Sequence, residues 1–300
     1  MRFGVHVPQW GAAATRDGVL AVVRTIEQSG LDSAWVADHV VFPLQSRTVY
    51  PYRDGGVPFA PEDGFLEALV TLSALAGVTE RIELGTSVLA LPMRHPLVVA
   101  KQAATLDLLS GGRLILGLGA GWWEEEFRAL GSTFGDRGRR FDEQIEIMRA
   151  AWTEGTFAWD GNFYSFDSVA CLPRPAQPGG PRLWIGGNSR AARRRAGHFG
   201  DGWHALGSAG GAIAAGKAEV ARVARAAGRD PSSISVSTSA GLPPDPEQAV
   251  KRMLELAACG VTHVVLNARA ETAADLCRAI ESFAANALST IRRELSAAVG

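Results

Sequence analysis

Two glycine-rich loops and one strand-end histidine are the residues of this chain best placed to do chemistry. The first loop, Leu116-Gly117-Leu118-Gly119-Ala120-Gly121-Trp122, leads into Glu124-Glu125-Glu126. The second, Ile185-Gly186-Gly187-Asn188-Ser189, leads into Arg190 and the run Arg193-Arg194-Arg195. Each reads as a buried strand, a turn without side chains, then a helix. Such a turn exposes backbone N–H groups, and the helix N-terminus adds partial positive charge, so each loop is a candidate phosphate cradle. Each is equally well a tight strand-to-helix turn with no ligand. Their recurrence in one chain, with arginines after the second, favours a phosphorylated cofactor. Arg190 shares a helix face with Arg193 or Arg194, so one or two of these either reach an anionic tail or lie on a solvated face. Arg137, Arg139 and Arg140 form a second basic cluster with the same two readings. His39 follows Asp38 at the end of a strand, where an imidazole either donates a proton or caps the backbone.

The other candidates read more plainly. His6 and His204 also lie near strand ends, and His6 is either a satisfied interior residue or part of a site. His95, His198 and His263 read as structural. At least two of Glu124, Glu125 and Glu126 read as compensation of a helix dipole. Trp122 and Trp123 either stack near a cofactor or belong to the core. No HxH or HExxH spacing marks a metal centre, and no GxSxG elbow marks a serine hydrolase. The strands offer no interior lysine, which argues against an aldolase or isomerase acting on a phosphorylated substrate.

These residues need a frame to hold them. The chain has 300 residues, 47% of them hydrophobic, enough for a sizeable core. A formal net charge of −1 gives no reason to expect nucleic acid or an anionic membrane as partner. Three scattered cysteines, Cys171, Cys259 and Cys277, make no disulfide framework and fit a reducing cytoplasm. The N-terminus is too short in apolar residues for a signal peptide, and no apolar run is long enough to span a bilayer. Short Val-, Ile-, Leu- and Trp-rich segments at 2–7, 33–37, 82–88, 113–118, 182–186, 201–206, 233–238 and 262–267 read as strands. Helical spacing fills 17–29, 63–79, 96–110, 140–153, 189–199, 210–228, 246–259 and 272–295. Eight strand–helix units over 1–300, with no linker, predict a single α/β domain of the TIM (β/α)8 barrel type. A doubly wound sheet is the runner-up, but the glycine loop comes mid-chain and lacks GxGxxG spacing. Residues 40–62, with Phe42, Tyr50, Tyr52 and Phe59, and residues 156–180, with a hairpin-like Trp159-Asp160-Gly161-Asn162-Phe163-Tyr164, read as ordered insertion loops of lid type.

The chain resembles the bacterial luciferase-like flavin-dependent monooxygenase superfamily, and within it the actinobacterial branch that uses coenzyme F420, a deazaflavin. The resemblance rests on Trp35-Val36-Ala37-Asp38-His39, Thr79 to Thr86, Arg94-His95-Pro96, Ala100 to Asp107, Ser110 to Arg113, Gly119 to Trp122, Phe141-Asp142-Glu143, Ile185-Gly186-Gly187 and Gly200 to His204. It implies a TIM barrel with insertion loops and a cofactor whose ring lies over the barrel mouth. It also implies a bulge, often a non-prolyl cis peptide, at Ser87-Val88 behind the ring, and a histidine beside the ring at His39. The cofactor site is then expected from Asp38, His39, Thr86, Ser87 and Val88. The loops Gly119, Ala120, Gly121, Trp122 and Gly186, Gly187, Asn188, Ser189 would hold the phosphate end, with Arg190 and Arg193 beyond them. The expected activity is hydride transfer between reduced F420 and a small organic substrate. FMNH2-dependent monooxygenation with O2 and flavin binding without turnover are the alternatives. The resemblance also implies a homodimer.

Overall fold

Eight parallel strands close into a barrel: β1 (Arg2–His6), β2 (Ser33–Val36), β3 (Glu83–Thr86), β4 (Leu114–Gly119), β5 (Arg182–Gly186), β6 (Gly202–Ala205), β7 (Ser235–Gly241) and β8 (His263–Asn267). The computed structural model describes residues 1–52, 56–207, 210–268 and 270–297. Neighbours in sequence pair in space, β8 returns to β1 with Arg2 opposite His263, and β3 joins β4 through Leu84 opposite Leu114. The helices are α1 (Arg16–Gln28), α2 (Ala68–Ala76), α3 (Pro96–Leu109), α4 (Glu124–Ala129), α5 (Arg137–Thr153), α6 (Arg190–Phe199), α7 (Gly210–Ala226), α8 (Pro246–Ala258), α9 (Ala273–Phe283) and α10 (Ser289–Ala297). This is the TIM barrel that the alternation of elements predicts. Among the described residues no helix is long and apolar enough to cross a membrane.

Local chemistry sets many boundaries. Thr15 caps α1 by accepting from the Gly18 N–H at 3.1 Å, and Ser189 caps α6 by accepting from Ala192 at 3.1 Å. Pro96 opens α3, with His95 as its cap. Inside the barrel, Trp35, Ile115, Trp184 and Val265 form one buried layer. The two indoles, 5.1 Å apart, fit because Gly4, Gly85 and Gly202 face them; a Cβ at any of the three would overlap an indole ring. Two tryptophans buried at about 150–250 Å² each supply roughly 4–6 kcal/mol apiece before entropy is counted. Below that layer His263 meets Ser33 Oγ at 2.8 Å, which is the structural role expected of it.

Three expectations are corrected. The strand expected over 82–88 stops at Thr86 and resumes as Leu89–Ala90 against Leu118 and Gly119, the break falling at a non-prolyl cis peptide, Ser87-Val88, where the resemblance places it. The helix expected over 272–295 passes through a π turn at Ala284–Leu288 between α9 and α10. The 156–180 insertion does form an antiparallel hairpin, Thr156–Asp160 with Ser165–Ala170. It is no lid, however. Glu143 of α5 accepts from the Trp159 indole and from the N–H groups of Asn162, Phe163 and Tyr164, which holds the hairpin to the outside of the barrel.

Candidate active site

The carboxyl ends of all eight strands open into a cavity of about 2240 Å³. Its floor is lined by His6, Ser87, Val88, Gly119, Gly186 and Ser239, and its walls come from the loops that follow the strands. Small-molecule sites usually occupy about 300–1,000 Å³, so this cavity has room for a large cofactor and a second molecule together.

His39 stands two residues beyond Ala37, where β2 gives way to the 40–62 loop. Its Nδ1 lies 2.9 Å from Glu126 Oε2, and the same carboxylate accepts from the Val40 N–H at 2.7 Å and the Val41 N–H at 3.3 Å. Glu126 is 2% exposed, so the pair is shielded from water. The imidazole is boxed by Phe59, Phe65, Trp122 and Trp123, with ring centroids 5.1–5.9 Å away. A carboxylate on Nδ1 fixes the ring's orientation and tautomer, leaving Nε2 as the working nitrogen. Among the described residues Nε2 has no protein hydrogen bond, and His39 lines the cavity. This arrangement can hold and release one proton at a defined atom.

Glu125 anchors the same loop further along. It accepts from Thr48 Oγ1 at 2.6 Å and from the Arg47 N–H at 2.7 Å, and these bonds pull its carboxyl down to about 2. Trp123 adds an indole N–H bond to Ser46 Oγ at 2.8 Å. Dipole compensation is therefore not the main work of Glu125 and Glu126, contrary to the reading from the sequence. They tie down residues 39–48, the first part of the 40–62 loop, of which residues 53–55 lie outside the described residues.

The glycine loops meet at Val88. A Cβ on Gly119 would lie 2.7 Å from Val88 Cγ2, and one on Gly186 would lie 2.7 Å from Val88 Cγ1. Gly121 combines φ +79° with a close approach of Phe127. Packing and turn geometry by themselves thus require glycine in the first loop. The second loop differs. Gly187 sits at φ +120°, where only glycine is comfortable, and its N–H is tied to the His204 carbonyl at 3.1 Å. Asn188 donates to the Leu206 carbonyl at 2.6 Å, while its Oδ1 is buried without a partner. His6 Nδ1 is likewise buried and unpartnered, and both residues line the cavity. These two atoms are polar groups that a bound molecule would satisfy.

His204 lies on the same floor. Its Nε2 is 3.0 Å from Ser87 Oγ and 3.2 Å from Ser239 Oγ, and its Nδ1 is 2.8 Å from Ser237 Oγ. Burial lowers His6 to about 4; burial, and then the neighbouring His6, lower His204 to about 3. Both are neutral at neutral pH, so they serve as hydrogen-bonding groups rather than acids.

A family model described as luciferase-like monooxygenase matches residues 1–294. The chain belongs to the luciferase-like monooxygenase family. It is 34% identical over 192 residues to an F420-dependent glucose-6-phosphate dehydrogenase of Amycolatopsis mediterranei, covering 63% of this chain and 52% of that one. It is 32% identical over 191 residues to an FMNH2-dependent dimethylsulfone monooxygenase of Pseudomonas putida, covering 61% and 51%. The chain spans 51–63% of the length of the curated relatives it matches. Its fold is like that of an F420-dependent secondary alcohol dehydrogenase solved with an F420–acetone adduct, with a TM-score of 0.78 at 18% identity over 95% of this chain and 97% of that one.

In this luciferase-like barrel several residues expected at the cofactor site point elsewhere. Asp38 touches the cavity, but its carboxylate is engaged by Arg94 at 2.7 and 2.8 Å and by the Ala90 N–H at 2.9 Å. Thr86 is fully buried and donates to the Gly117 carbonyl at 2.7 Å. Arg190 is on the surface, and Arg193 bonds Glu219 of α7 at 3.0 Å; neither lines the cavity. The guanidinium groups that do line this part of it are Arg195 and Arg137. Arg195 is paired with Asp142, whereas among the described residues the Arg137 guanidinium bonds the carbonyls of Gly121 and Phe134 and no carboxylate. It is the member of the second basic cluster that keeps its charge at the cavity. Ser87, Val88, Gly119, Ala120, Gly121, Trp122, Gly186, Gly187, Asn188 and Ser189 all line the cavity.

Proposed function

We propose that this chain is an oxidoreductase that holds reduced F420, or alternatively FMN, across the barrel mouth and acts on a small organic substrate. The observation that carries this reading is the His39–Glu126 pair, a shielded proton carrier opening on a cavity too large for a substrate alone. When bound there, the reduced cofactor supplies the hydride. Val88, which lines the cavity between Gly119 and Gly186, would back its ring, and the unpartnered Asn188 Oδ1 and His6 Nδ1 fit hydroxyl or N–H donors of such a molecule. Arg137 and the N-terminus of α6 would attract its anionic part. His39 holds the proton, Glu126 orients it, and the 40–62 loop keeps water from the site. The names of the two relatives support both cofactor readings. The size of the cavity favours F420, whose phosphodiester carries a long oligoglutamate tail.

Titration of the purified protein with F420 and FMN side by side, followed by tryptophan fluorescence, tests this. F420 is expected to bind more tightly than FMN, and its affinity is expected to fall with salt. Arg137→Ala should weaken F420 binding by several-fold to about tenfold, whereas Arg190→Ala should not. Equal or tighter binding of FMN would promote the FMNH2-dependent monooxygenase reading, and no binding of either would overturn the proposal. A bound reduced cofactor that no added acceptor reoxidises would instead support binding without turnover.

Gly187→Val should also weaken cofactor binding while far-UV circular dichroism stays near that of the wild type. A valine would meet Ala192 Cβ at 3.1 Å and be strained at φ +120°, at a cost of about 1–3 kcal/mol, so a modest fall in Tm is expected as well. A variant that binds F420 and FMN as the wild type does would make this loop a turn and nothing more.

A further inference from the structure

The cavity has one wall unlike the rest. The loops after β1, β2 and β4 bring Trp10, Tyr50, Tyr52, Phe59 and Trp122 to it, beside His39. Trp10 stacks on Phe65 at 5.4 Å with 9° between planes, and Tyr50 meets Trp122 at 5.0 Å and Tyr52 at 5.4 Å. The charged and amide side chains on this wall are engaged within the protein. Asp38 is taken by Arg94, and Glu126 by His39 and the loop backbone. Gln9 is fully buried and bonds the carbonyls of Ala37 and Leu66 and the Ala37 N–H. Among the described residues the arginines that line the cavity are Arg137, Arg195 and Arg278, which rise from α5, α6 and α9 and not from this wall. What the described residues of this wall turn toward a ligand is a set of aromatic rings, prolines and one imidazole edge, with no fixed charge among them.

We infer that this wall binds an uncharged, flat aromatic molecule carrying one oxygen that meets His39 Nε2. The inference rests on the oxidoreductase reading above and names the substrate class for it. Flat π faces match the tilted and stacked rings of the wall, and an offset or edge contact adds specificity that a saturated body of equal size does not obtain. A phosphorylated sugar fits poorly, because its charge would be stripped of water against aromatic rings with no cation among the described residues of the wall.

Isothermal titration of the full chain, with and without F420, tests this with three probes: 2-acetonaphthone, its saturated counterpart 2-acetyldecalin, and glucose 6-phosphate. Binding of 2-acetonaphthone is expected to be about tenfold tighter than that of 2-acetyldecalin, with no measurable heat from glucose 6-phosphate. Tyr50→Leu and Trp122→Leu, which keep apolar bulk and lose the π face, should each weaken 2-acetonaphthone binding by roughly 3- to 10-fold. Circular dichroism and an unchanged Tm would confirm that these variants are folded. Equal binding of the two ketones, tight binding of glucose 6-phosphate, or folded leucine variants with wild-type affinity would each overturn the inference. If F420 binds and 2-acetonaphthone does not, the substrate class fails and the cofactor reading stands. If 2-acetonaphthone binds and neither F420 nor FMN does, the aromatic site stands and the oxidoreductase reading falls.

Discussion

His39→Ala is expected to lower turnover by roughly 10²–10⁴-fold, the usual range for removing a general acid, with a much smaller effect on cofactor affinity. The imidazole is held at Nδ1 by a buried carboxylate, and the nearby histidines His6 and His204 are pushed by burial to about 4 and 3 and carry no proton to give at neutral pH. His39→Asn keeps a hydrogen-bond donor and loses proton transfer, so a rate near that of the alanine variant identifies protonation, and a rate near wild type identifies polarisation. Glu126→Gln should reduce turnover less than His39→Ala does, because the amide still accepts from the loop backbone but no longer fixes the imidazole tautomer. Steady-state rates on the first substrate found, over a range of pH, check all three. Wild-type turnover in His39→Ala would make His39 structural and leave the proton to bound water.

Asp38→Ala is expected to cost about 3–5 kcal/mol of stability, because it leaves the largely buried Arg94 guanidinium with only the more exposed Glu67 carboxylate, 3.3 Å away, as an ionic partner. Burial alone would lower that guanidinium, yet the Asp38 and Glu67 carboxylates outweigh it and raise it above its ordinary value. For a chain of this size the loss corresponds to a Tm lower by roughly 5–8 °C in a thermal melt. The same carboxylate holds the Ala90 N–H, two residues past Val88, so the segment that carries the bulge loses its anchor too. Asp38→Asn, which can still bond both groups without the charge, should fall between the two. A stable Asp38→Ala protein that has lost cofactor binding would restore Asp38 as a ligand.

Much of the barrel is legible in the amino-acid order because its signals are local. Alternation, helical spacing and caps such as Thr15, Pro96 and Ser189 act over a few residues, and they place the eight strands within a residue or two over most of their length. They also put His39 and the second glycine loop at the working end of the barrel. They do not reveal direction or partnership. The Arg193 side chain follows Glu219, 26 positions away on another helix, so helical spacing alone does not tell whether it faces the cavity. Gly119 is bare because the Val88 side chain, 31 positions earlier, packs against it, a contact that no local propensity signals. Glu126 reads as a helix-end charge until the fold brings it to His39, 87 positions earlier, and Asp38 reads as a site residue until Arg94, 56 positions later, closes on it. By itself the sequence determined the kind of barrel, its working end and the histidine that belongs there. Only the tertiary structure decided which charges remain available to a ligand, because a buried ionic side chain must find its partner wherever the chain has brought one.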